Sequence, residues 1–163
     1  MSSLAPRIVP PLAAVLAAGV AALALSLSVV PAQAGLGQAR ASVDNDVSHF
    51  KARLKSTTVG TYTESDLTAD GGAVTREFTN GAGTVFAVAW SGPARPDLKT
   101  LFGDYFPRFQ ADNATNGRFR RHKPLHSDDL DFIVRTGGHP GAVWGYAYLP
   151  QQVPQGFSIE GLQ

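Results

Sequence analysis

The chain has 163 residues with 14 Lys and Arg, 13 Asp and Glu, four His and no Cys. The missing Cys excludes disulfides, thiolate metal sites and Cys nucleophiles together. A near-neutral balance excludes the global positive field by which proteins collect nucleic acid or anionic lipid.

Arg7 supplies a short positive start, and Leu12 to Val30 is uncharged and rich in Ala, Leu and Val. Ala32-Gln33-Ala34 follows as a small-x-small pattern, so residues 1–34 are expected to be a secretory signal peptide cut before Gly35. A retained membrane anchor is the rival, because the apolar run approaches bilayer-spanning length. Cleavage would leave 129 residues, enough for one domain and no stable membrane span. Loss of Arg7 would balance the charge at thirteen basic against thirteen acidic residues. Stability must then come from the core, and the expected location is bacterial and exported, periplasmic or secreted.

Gly35 to Arg40 reads as a flexible start. Ser42 reads as an N-cap, and Val43, Val47, Phe50 and Leu54 form one helical stripe, predicting a helix over 43–55. Residues 56–67 are rich in Thr, Val and Tyr and read as one strand. Asp70-Gly71-Gly72 turns the chain, and residues 73–79 alternate as a second strand. Arg76 and Glu77, as neighbours on it, point to opposite faces. Asn80-Gly81 signals a hairpin into Thr84 to Trp90, six of whose seven residues are apolar. That run reads as a strand buried on both faces, third in a meander and central in the sheet.

Leu98, Leu101, Phe102, Tyr105 and Phe109 predict a second helix from Asp97, with a kink or early stop at Pro107. Residues 111–129 read as an exposed loop carrying Arg118, Arg120, Arg121 and Lys123. Leu130 to Thr136 and Ala142 to Leu149 read as strands joined by the turn Gly137-Gly138-His139-Pro140-Gly141. Residues 150–163 show no period. The expected fold is α+β: a single domain over 35–163, one antiparallel sheet of about five strands in the order helix-β-β-β-helix-β-β, and two helices packed on one face.

Val74-Thr75-Arg76-Glu77-Phe78, the run Ala82 to Pro93, Pro96-Asp97-Leu98, Leu101 to Phe106 and Gly137-Gly138-His139 together resemble a family of short exported bacterial proteins. That family is catalogued as domain of unknown function 2844. The resemblance extends over nearly the whole chain from about Ala34. It implies a signal peptide and one small domain, and it brings no activity, cofactor or catalytic residue.

No P-loop, H-E-x-x-H, G-x-S-x-G or G-x-G-x-x-G motif is present. His139 between Gly138 and Pro140 would be accessible for proton transfer, or simply part of a turn. His122 and His126 stand near Asp128, Asp129 and Asp131, which could bind a metal or merely be a polar loop; no metal ligand is assigned. Trp90, Trp144, Tyr146 and Tyr148 are a stacking platform if they face solvent and core if they face helices. Arg76 is expected to pair across strands.

Two functional expectations follow. The leading one is a non-enzymatic envelope module without cofactor, binding another exported protein or an envelope polymer, and no nucleic acid. Its candidate ligand contacts are His139, Trp90, Trp144, Tyr146 and Arg76, and it expects an exposed aromatic or apolar patch. The alternative is a small periplasmic hydrolase or metal-dependent enzyme using His139 or His126. It needs at least two of His139, Glu77, Asp104 and Asp131 to converge within hydrogen-bonding reach in one pocket.

Overall fold

A computed structural model describes residues 35–114, 126–128 and 130–162. The expected leader at 1–34 and the basic cluster at 118–123 lie outside the described residues. The fold is α+β, built on a single antiparallel sheet of seven strands in the order β1-β2-β3-β4-β7-β6-β5. The strands are β1 (Ala52–Val59), β2 (Tyr62–Ala69), β3 (Val74–Asn80), β4 (Val85–Gly92), β5 (His126–Asp128), β6 (Ile133–His139) and β7 (Ala142–Tyr148). Helix α1 (Ser42–Phe50) precedes them, and α2 (Leu98–Phe102) and α3 (Phe106–Ala114) lie between β4 and β5.

Strand count and order therefore differ from the five-strand expectation. The first difference arises at the end of α1. Lys51 adopts the left-handed conformation (φ 49°) and its N–H closes the helix on Ser48 and Val47 carbonyls. Ala52 then pairs with Ala69, and Leu54 lies opposite Leu67 rather than continuing the helical stripe. Eight cross-strand pairs outweigh a local helical preference here. The second difference is a hairpin inside the supposed first strand. Val59 pairs with Tyr62, and Gly60 (φ 57°) and Thr61 form a two-residue loop. The apolar run is thus the fourth strand rather than the third.

That strand, β4, lies at the centre of the sheet between β3 and β7. Its residues 85–90 are all buried. A bulge beside Phe78 and Thr79 inserts Phe86, so Val85, Val88 and Trp90 face the helices. Phe86, Ala87 and Ala89 face the other way. The helix-side core joins them to Leu36, Val43, Leu101, Phe102, Phe109, Phe132 and Val134.

The helical segment expected from Asp97 begins there, with the Asp97 carboxylate accepting from the Lys99 and Thr100 amides. It breaks at a 3-10 turn, Gly103–Tyr105, and Pro107 follows as the second residue of α3, where its missing N–H removes the bond to Gly103. Residues 111–114 extend α3, and residues 126–128 are a strand, which shortens the expected loop at both ends. Strand β6 begins at Ile133 and continues through His139, which pairs with Ala142; only Pro140 and Gly141 turn the chain.

Both termini of the described fold are tied down. Leu36 N–H donates to the Leu101 carbonyl, Gly37 to Val85 and Arg40 to Gly83, so the start expected to be flexible is pinned across the helix-side core. Gly35 (φ 124°) is pressed so closely on α2 that a Cβ would lie 2.4 Å from the Thr100 carbonyl oxygen. After β7 the chain crosses the second face of the sheet. Val153, Phe157 and Leu162 pack on Tyr62, Phe78, Phe86, Tyr146 and Tyr148. Phe157 meets Tyr62, Phe78 and Phe86 edge-on at centroid distances of 5.0, 5.3 and 4.8 Å.

Candidate functional site

The sheet separates the candidate residues onto two faces. Trp90 lies on the helix face, 4% exposed, with its ring 5.8 Å from that of Phe102. Gly145 on β7 makes room for it, since a Cβ there would stand 2.2 Å from the indole. Trp144, Tyr146 and Tyr148 alternate onto the second face, where Trp144 stacks on Tyr146 at 6.4 Å and 18°. Tyr146 stacks on Tyr148 at 6.4 Å and 28°. The C-terminal segment covers the Tyr148 end, whereas Trp144 remains 43% exposed.

Trp144 lies across Gly137, its cross-strand partner on β6. A Cβ at Gly137 would come within 2.5 Å of the indole ring, so only glycine lets the ring rest on the backbone. On β4 the neighbour is Ser91, which is also small. One indole face is thus left open at the sheet surface. Arg135, opposite Tyr146, is held by Asp128 at 2.5 Å.

Arg76 occupies this second face as well. It pairs with Glu64 across strands at 3.7 Å, donates to the Gly161 carbonyl at 3.2 Å and stands over the Phe78 ring. It holds the chain end as much as it faces solvent.

The histidines and carboxylates of the catalytic alternative are distributed. His139 is exposed near the β6–β7 turn with Nδ1 3.0 Å from the Pro140 carbonyl. His126 is exposed on β5, opposite Arg135. Asp104 meets Gln38, Asp131 pairs with Arg108 at 2.8 Å, and Glu77 is sealed beneath α1. The structure therefore brings none of His139, Glu77, Asp104 and Asp131 together. Among the described residues no three of His, Asp and Glu gather at metal-binding distance. A groove of about 580 Å³ between the start of α2 and α3 is lined by Arg95, Asp97, Lys99, Phe106, Phe109 and Asn113, and holds no His.

One arrangement escaped the sequence reading. Asp46 and Glu77 are both 0% exposed and lie side by side between α1 and β3. Burial pushes Glu77 up to about 10, and its hydrogen bond to Asp46 and the Asp46 charge push in the same direction. Burial also raises Asp46 to about 6, opposed by the Glu77 hydrogen bond and by His49. Glu77 therefore keeps its proton at neutral pH and donates it to Asp46. Asp46 falls three residues after Val43, on the inner side of α1, which was the available signal. Glu77 alternates with Thr75 and Thr79, a pattern that reads as a solvent face.

The fold and these two faces define a small α+β protein with a half-open aromatic row on one side and a sealed acid pair on the other. The family described as Protein of unknown function (DUF2844) matches residues 32–162, and the chain belongs to it. No curated protein matches the chain, and no solved structure does. No helix among the described residues is long and apolar enough to cross a membrane.

Proposed function

We propose that this chain is an exported, non-catalytic module of the bacterial cell envelope that binds an envelope glycan. The observation that carries the reading is the seating of Trp144. Its indole lies on Gly137, backed by Tyr146, and offers its open side to solvent. A flat aromatic surface stacks on the apolar face of a sugar ring and tolerates many sequences of sugars. Export is supported by the apolar run and small-x-small pattern before Gly35.

Co-sedimentation with purified insoluble cell-wall glycan tests this. The unmodified protein should pellet with the glycan, and W144A should remain in the supernatant. Equal pelleting of W144A, or none by the unmodified protein, would overturn the reading. Trp90 remains in W144A as a buried reporter of an intact fold.

A further inference from the structure

Beneath α1, apart from the proton shared by the two carboxyls, six side-chain oxygens have no hydrogen-bond partner: both of Asp46, both of Glu77, Oγ of Ser42 and Oγ1 of Thr79. All four residues are at most 2% exposed. Their register is set by the chain path. The Arg40 amide donates to the Gly83 carbonyl, which starts α1 beside the β3–β4 turn, at the Thr79 end of β3. The helix leaves at the other end, where Ala52 pairs with Ala69. Four helical residues rise about 6 Å and two strand residues about 6.8 Å. These spacings match, so a register that joins Asp46 to Glu77 would align Ser42 with Thr79.

A single proton satisfies one contact between the carboxyls and leaves the other oxygens bare. Buried oxygen acceptors without donors are costly, and a hard cation is the one partner that can satisfy several at once. We infer that the α1–β3 interface is a binding site for one dehydrated divalent cation, Ca²⁺, ligated by Asp46 and Glu77 with Ser42 and Thr79 completing the oxygen set. On binding the ion Glu77 releases its proton to solvent, and the two carboxylates then balance the charge of the ion. The sealed surroundings favour Ca²⁺ over Mg²⁺, which holds its own water and demands near-ideal octahedral geometry. A hollow of about 310 Å³ beside the start of α1 is lined by Arg40, Asp44, Ser56 and Ser65, and Ser65 is the cross-strand partner of Glu77. The site lies on the opposite face of the sheet from Trp144, so it is independent of glycan binding.

The test is calorimetric titration of the EDTA-treated, desalted protein with CaCl2 and, separately, MgCl2, alongside melting curves with each salt. One Ca²⁺ per chain is expected, with Kd on the order of 10⁻⁴–10⁻³ M as in extracellular modules, and a higher melting temperature in Ca²⁺ than in Mg²⁺. E77Q should fold, because a neutral amide replaces a neutral acid of the same shape, and should bind Ca²⁺ at least tenfold more weakly. S42A should weaken binding by a smaller factor. No heat of binding and no Ca²⁺-dependent melting shift would overturn the inference. Unchanged binding by both E77Q and D46N would do the same, by placing the ion elsewhere.

Discussion

Asp46 on α1 and Glu77 on β3 are both fully buried and share one proton between their carboxyls, linking the helix to the sheet. This makes folding stability a function of pH. Glu77 binds its proton in the unfolded chain only below about 4.5 and in the folded protein up to about 10. The native state therefore holds more protons across that window. Stability is fullest in acid and falls as pH rises.

In EDTA, urea denaturation between pH 5 and pH 9 should show stability falling by up to about 1.4 kcal/mol per pH unit for this one proton. Asp46, raised to about 6, adds to the fall at the acidic end. His49 and Asp97 are the nearby charges acting on Asp46, so E77Q is the control for the Glu77 proton. That variant should flatten the profile. A profile in which the unmodified protein gains stability toward pH 9 would refute the shared proton.

The two tryptophans depend on two glycines. G145A would drive a methyl group into the Trp90 ring in the middle of the sheet, and a loss of about 1–3 kcal/mol is expected from overpacking. W90F in the same chain should recover part of it, because the smaller ring vacates the contact. Additive losses in the double variant would show that the collision is not the cause.

Removal of the Phe157 ring should release the chain end. Its edge-on contacts with Tyr62, Phe78 and Phe86 are the central hold on the segment after β7. F157A should cost about 2–4 kcal/mol. Amides of residues 150–162 should exchange faster in deuterium while those of β4 stay protected at a level set by global unfolding. Equal loss of protection in both regions would mean that the segment does not open on its own.

The hairpin after β3 and the central strand were legible because Asn80-Gly81 and six apolar residues carry strong local signals. The Asn80 side chain indeed accepts from the Ala82 and Thr84 amides to shape the turn. Strand β1 was not legible, since seven of its eight residues are exposed and its partner is found only across a Gly60-Thr61 turn of weak signature. The C-terminal segment has no period because it packs by single residues, Val153, Phe157 and Leu162, from irregular backbone. The faces of Trp144 and Tyr146 followed from alternation, but which face the helices would cover depends on tertiary packing. The acid pair was hidden for the same reason: each carboxyl looked solvated until its partner was placed.

Under the proposed export, Gly35 would impose an order of events. The bond that would be cut lies directly before a glycine that is buried against α2 and has no room for a side chain. A peptidase needs that stretch extended and reachable, while the finished fold needs it folded inward with Leu36 in the core. On the proposed reading the two demands would be met one after the other, with the leader removed first and the N-terminal segment docking afterwards. A precursor still bearing its leader at the peptidase would leave the Leu36 socket empty, a loosened form suited to passage through a narrow translocation channel.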